Sequence, residues 1–176
     1  MKKTIFILFS FVLFSSFIAT VLDQSEQVSA KIKAIYIYNF TKYIEWPESY
    51  KEGNFVIGVL GSNSALLNEL SKMADSKMVG SQKLEIKNIS SCSPTDKYNI
   101  IYVLSDNSTQ LTDVLNKLKG KSTLIVTDKA GLAKQGAAIN FFIDGNKQKI
   151  ELNKANIEKY KLKVASTLVE MAIAVK

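Results

Sequence analysis

The chain has 176 residues, with 23 Lys and Arg against 16 Asp and Glu, a formal charge of +7, one cysteine and no histidine. A lone cysteine excludes an internal disulfide, and the missing imidazole removes the usual acid–base group at neutral pH and the commonest transition-metal ligand. Hydrophobic residues make up 47% of the chain, enough to bury the core of one domain.

Lys2 and Lys3 open the chain, and the apolar run Ile5 to Ile18 follows, broken only by Ser10, Ser15 and Ser16. About fourteen residues fall short of the roughly twenty that a membrane-spanning helix needs. A charged start before a short apolar run has the build of a secretory signal peptide. The expectation is a signal peptide at 1–19, cleavage between 19 and 30, export, and no stable membrane insertion afterwards; an uncleaved anchor is the other reading. Ala19 is the nearest small residue, with Phe17 poorly suited two positions before it, whereas Val28-Ser29-Ala30 suits cleavage better but lies far from the apolar run. Losing 1–19 removes two lysines and leaves +5. The lysines, Lys33, Lys42, Lys72 and Lys117 among them, are scattered as on a solvated surface, with no basic–aromatic platform for nucleic acid.

Residues 33–47 hold Tyr36, Tyr38, Phe40, Tyr43 and Trp46 and end in Trp46-Pro47. Ile32, Ile35, Tyr36, Phe40 and Tyr43 recur at helical spacing, and Ile37, Tyr38 and Ile44 widen the stripe. The spacing predicts a helix covered on most sides, capped by Asp23, Ser25 or Ser29 and stopped by Pro47. A buried core helix is the plain reading. Tyr-rich faces also serve interfaces, so Tyr38 and Tyr43 are the candidate partner-binding residues.

Phe55–Leu60 reads as a strand buried on both faces, followed by a loop at 61–64, with Ser64 as helix cap, and a helix through Leu66, Leu70 and Met73. Leu84 and Ile86 alternate with charged residues, as in a half-exposed strand. Cys92 lies in the next loop, either buried and inert or paired with a second chain. Ile100–Leu104 is a second buried strand, 105–108 caps a helix through Leu111, Val114 and Leu118, and Gly120 closes it. Leu124–Val126 is a third strand, with a short helical turn to Gln135. Asp144-Gly145-Asn146 between two apolar runs signals a hairpin. After the polar segment from Asn153, Val164, Leu168, Met171, Ala172 and Val175 predict a closing helix, with Trp46 buried beside it near Leu168 or Met171.

Buried strands alternating with amphipathic helices indicate one three-layer α/β domain of Rossmann-like type over 31–176: a mostly parallel sheet, a C-terminal β-hairpin, and flanking N- and C-terminal helices. In such a sheet the crevice lies beyond the carboxyl ends of the strands. Those ends present Ser62 and Asn63, Ser105, Asp106 and Asn107, then Thr127 and Asp128. The plain reading is helix caps and turn formers. The functional one is a crevice for a small polar ligand at Ser62, Asn63, Ser105, Asp106 and Asp128. No dinucleotide fingerprint, phosphate loop, nucleophile elbow or zinc ligand set occurs, so no catalytic residue, metal or cofactor is expected.

The 33–47 segment with its Trp-Pro ending resembles the opening helix of the YfiR-like family. Phe55–Gly61, Ile100–Ser105, Leu124–Asp128, the Ile139-Asn140-Phe141 strand and 162–168 resemble that family's later stretches in order and spacing, so the likeness covers nearly all of 31–176. The family often carries paired cysteines, which this chain cannot form internally, and Gly136-Ala137 stands where a glycine doublet is typical. The resemblance implies a non-enzymatic periplasmic regulator and does not name its partner; the expected partner is the periplasmic region of an inner-membrane signalling protein, such as a diguanylate cyclase or a sensor kinase. A homodimer is a second contact to be tested. A stand-alone small-molecule binding module and an envelope structural protein are the alternatives. An exposed aromatic helix would favour a protein partner, and a covered one above an open crevice would favour a ligand.

Overall fold

The structure, a computed structural model, describes residues 24–176. The expected signal peptide at 1–19 lies outside them. The first described element is a long helix, α1 (24–43), and it contains Ser25 and Ser29, so neither caps it. Its buried seam is Ala30, Ala34, Ile37 and Phe40, continued by Ile44. Of the expected face, Phe40 is buried, Tyr36 and Tyr43 pack half-buried against the core, and Ile35 is 44% exposed, so the seam is turned toward the alanines. The physical reason is size: the two alanines let the helix lie close against its neighbours, and the bulky rings straddle that line of contact. The helix also stops at 43, ahead of Pro47, because Ile44–Glu45 forms a short strand, β1.

Among the described residues, ten strands and five α-helices follow the order β2 (Phe55–Leu60), α2 (Ser64–Ser76), β3 (Met78–Val79), β4 (Gln82–Ile89), β5 (Ile100–Val103), α3 (Leu111–Lys117), β6 (Leu124–Thr127), β7 (Ile139–Asp144), β8 (Lys147–Leu152), α4 (Lys154–Lys159), β9 (Lys163–Val164), α5 (Ser166–Met171) and β10 (Ile173–Ala174), with α1 and β1 at the start. A mostly parallel sheet of eight strands runs β10-β8-β7-β6-β5-β2-β4-β3. Every residue of β2, β5 and β6 is buried, which the aliphatic and β-branched runs in them require. Within the parallel core the chain steps from β2 outward to β4, then returns to β5 on the other side of β2 and continues to β6 and β7. The path thus reverses between β2 and β5.

The hairpin is β7 and β8, paired antiparallel from Ile139↔Leu152 to Asp144↔Lys147. Gly145, at φ +60°, supplies the first position of its two-residue turn. The hairpin does not form the sheet edge, because β10 adds to β8 in parallel. This is where the expected closing helix fails. Val164 belongs to β9, which pairs with β1, and only Leu168 of the six-residue α5 is buried. Met171 is 57% exposed. Six residues are too few for a lasting apolar seam, and pairing with β8 gives the terminal backbone hydrogen bonds that a longer helix would have made internally.

Trp46, like Leu168, is buried. Its ring meets Phe55 edge-on at 5.0 Å, and its Nε1 donates to the Asn99 carbonyl at 3.2 Å. On α1, Tyr36 and Phe40 close on Phe141 of β7 at 5.7 and 5.9 Å, and Phe141 meets Tyr102 of β5 at 5.9 Å. The aromatic content of α1 thus serves to fasten that helix to the sheet.

Candidate functional site

The strand ends are built by local turns. After β2, Gly61 takes φ +117°. A side chain there would be strained and would also strike Asn107 Oδ1. Asn63, rather than Ser64, caps α2, its Oδ1 accepting from the Leu66 amide at 2.7 Å. Its Nδ2 reaches Glu26 Oε1 of α1 at 3.4 Å. After β5, a tight 3-10 turn, Ser105–Gln110, replaces the expected helix start, and α3 begins only at Leu111. After β6, Asp128 accepts from Lys33 of α1 at 2.7 Å.

Ser62, Asn63, Ser105, Asp106 and Asp128 all line one cleft of about 320 Å³. It lies at the carboxyl ends of β2, β5 and β6, where the path of the chain reverses. The other wall is α1, which contributes Glu26, Ser29 and Lys33. A second cleft of about 630 Å³ shares Ser62 and Asp106 and adds Asn88, Asn107 and Gln110. Asp106 therefore stands between the two. Thr127 takes no part: it is fully buried, and its hydroxyl donates to Asn140 Oδ1 at 2.7 Å.

Of the five residues, Asn63 alone caps a helix. The side chains of Ser62, Ser105 and Asp106 make no hydrogen bond or ion pair among the described residues. The Asp128 side chain is only 9% exposed, and its Oδ1 is buried. Beneath it, the buried Tyr102 hydroxyl faces the same carboxylate. Burial first, and the Asp128 charge second, hold the Tyr102 phenol well above its ordinary range. Lys33, which sequence reading placed among solvated lysines, is the contribution that was missed. Its partner lies 95 positions away, and no local pattern marks such a pair.

Tyr38 and Tyr43 do not form one patch. Both are half-buried. Tyr38 donates to the Met78 carbonyl at 3.3 Å under the Lys42 ammonium, whereas Tyr43 lies beside the β1–β9 ribbon, its carbonyl accepting from Ala165 at 2.8 Å. Cys92 is buried, and its thiol is pushed up to about 11, chiefly by desolvation. Among the described residues there is no group of three or more His, Cys, Asp or Glu that could hold a metal, and no helix long and apolar enough to cross a membrane.

A mixed α/β domain with an open polar cleft at its strand ends and a covering aromatic helix is the class these observations define. The chain belongs to the YfiR/HmsC-like family, whose model matches residues 30–173. That family is known for periplasmic regulation of diguanylate cyclases, and it is regulatory rather than catalytic. No match was found among the curated proteins.

Proposed function

We propose that this protein is a periplasmic regulator that restrains a membrane-bound signalling enzyme, a diguanylate cyclase or a sensor kinase, by protein–protein contact. The observation that carries the reading is the family match over 30–173, which takes in nearly all of the described fold. The charged, short apolar start of the chain supports export. Because Ala30 is buried in the α1 seam, cleavage ahead of 24 suits the fold better than cleavage after Ala30. The strand order, reversing between β2 and β5, supports a doubly wound, Rossmann-like sheet.

The mechanism is a population shift. The regulator must bind the inactive state of its partner more tightly than the active state. A tenfold preference needs only about 1.4 kcal/mol, which a small apolar contact supplies. The exposed apolar surface on α1 is Val28 and Ile35, together with what Tyr38 and Tyr43 leave uncovered. The test is deletion followed by re-expression. Deletion should raise the output of the signalling enzyme, read as cellular cyclic di-GMP or kinase phosphorylation, and re-expression should lower it again. Tyr38→Ala or Tyr43→Ala, once shown to fold, should restore the output less fully. Second-messenger and kinase outputs that stay unchanged on deletion would sink the reading.

A further inference from the structure

We propose that the cleft between the open edges of β1 and β3 receives an extended, acidic segment of a protein partner, which adds to β1 as a third strand of the β1–β9 ribbon. The proposal rests on the regulator reading for the partner being a protein, and it names the surface and the chemistry of that contact.

The open edges are the first reason. β1 pairs with β9 alone and β3 ends the eight-stranded sheet, so among the described residues each has one side without a strand. The Tyr43 carbonyl accepts from the Ala165 amide at 2.8 Å, and in an antiparallel pair the next residue turns the other way. Ile44 therefore presents its carbonyl away from β9. Met78, opposite Lys83 of β4, turns its carbonyl toward α1, where the Tyr38 hydroxyl donates to it at 3.3 Å. One cleft of about 320 Å³ lies between the two strands, with Ile44, Glu45 and Trp46 on one side and Val79 and Gly80 on the other. Because the Tyr38 hydroxyl already occupies part of the β3 edge, β1 is the edge left to extend. A guest strand there gains main-chain hydrogen bonds from β1 and lays alternate side chains on Ile44, Trp46 and Val79. Each open edge is only two residues long, short enough not to pair at random with other chains.

Charge chooses the guest. Lys42 and Lys51 stand at the cleft, and at the β3 edge Lys77 precedes Met78 while Lys83 lies opposite it. Lys42, Lys77 and Lys83 are exposed and form no ion pair among the described residues. The Lys42 ammonium has the Asn39 carboxamide at 3.2 Å and the Tyr38 ring at 4.9 Å, and both are uncharged. Glu45, which also lines the cleft, already reaches Lys163 at 3.4 Å. An apolar floor bordered by ammonium groups without acidic partners attracts an acidic segment and repels a basic one.

Trp46 is the only tryptophan in the chain and it lines the cleft, so its emission reports occupancy. The purified protein is titrated with a capped peptide of alternating glutamate and valine, with the lysine–valine counterpart, and with a copy of the first whose main-chain amides are N-methylated. The glutamate–valine peptide should change the Trp46 emission saturably and bind at least about tenfold more tightly than either of the others. Lys42→Glu, at an exposed position, should keep the wild-type circular dichroism and lose about tenfold in affinity for that peptide. Lys119→Glu, at an exposed position after α3 and outside the cleft, should bind like wild type. No saturable change with the glutamate–valine peptide would overturn the proposal, as would equal binding of the methylated copy, affinity undiminished in Lys42→Glu, or an equal loss in Lys119→Glu. Emission that shifts with protein concentration alone, together with dimers in sedimentation, would give the cleft to a second copy of the chain and overturn it too. No signalling enzyme is present in these titrations, so their failure is distinct from an unchanged output on deletion.

Discussion

Asn99 is fully buried and holds three segments at once. Its Oδ1 accepts from the Val56 amide at 2.9 Å, its Nδ2 donates to the Tyr50 carbonyl at 3.2 Å, and its own carbonyl accepts from Trp46 and from the Leu124 amide. It thus joins the Trp-Pro segment to three strands of the sheet. Removing the carboxamide leaves the buried Val56 amide without a partner, which costs about 1–3 kcal/mol where water cannot reach it, while the Tyr50 carbonyl still accepts from Gln82 Nε2 at 3.1 Å. Asn99→Ala should therefore lower the urea midpoint well beyond what an exposed Asn→Ala change does. An unchanged midpoint would show that water replaces the side chain. Nothing in the sequence marks Asn99, because a buried amide is defined by what surrounds it.

At the scale of elements, α4 shows how a short helix is held. Asn153 caps it, accepting from the Asn156 amide at 3.1 Å. Its end is a Schellman turn: the Leu162 amide donates to the Ile157 carbonyl at 3.2 Å and the Lys161 amide to Glu158 at 2.8 Å. Lys161 sits at φ +57°, the only described residue other than glycine with positive φ. A left-handed position normally takes glycine, since a Cβ crowds the carbonyl oxygen. Lys161→Gly should raise stability by about 0.5–1 kcal/mol, read as a higher melting temperature. A lower melting temperature would mean that the lysine side chain makes a stabilising contact of its own. The helix escaped sequence reading because only Ile157 of its six residues is buried.

At the scale of the whole molecule, the titratable groups that the core holds are cysteine and tyrosine. The Cys92 thiol is pushed up to about 11 and the Tyr160 phenol to about 12, both mainly by burial, and Tyr98 and Tyr102 move in the same direction. Each of these acids is neutral when protonated. Above an ordinary thiol value of 9.0 the unfolded chain gives up its proton while the native chain keeps it. The unfolded state then binds fewer protons, and stability falls as pH rises. The melting temperature should hold between about pH 6 and 7, where no side chain of ordinary pKa titrates in a chain without histidine, and should fall from about pH 9 upward. In Cys92→Ala the onset should move toward 10, the ordinary tyrosine value. An onset unchanged in that variant would place the loss on tyrosine and lysine alone.

What the order of residues determined by itself was local and periodic. Phe55–Leu60, Ile100–Val103 and Leu124–Thr127 are strands because their apolar runs suit nothing else of that length, and the hairpin turn is written in Asp144-Gly145-Asn146. The five polar residues at the strand ends could be named in advance because a parallel sheet puts the residue after each strand on the same side. Tertiary structure decided the rest. It chose the alanine seam of α1 over the larger apolar face, since closeness of approach depends on the surface opposite. It turned the chain's end into an edge strand, because an unpaired β8 was there to receive it. It also set Lys33 against Asp128, far apart along the chain, and so closed a helix over the strand ends to make a cleft.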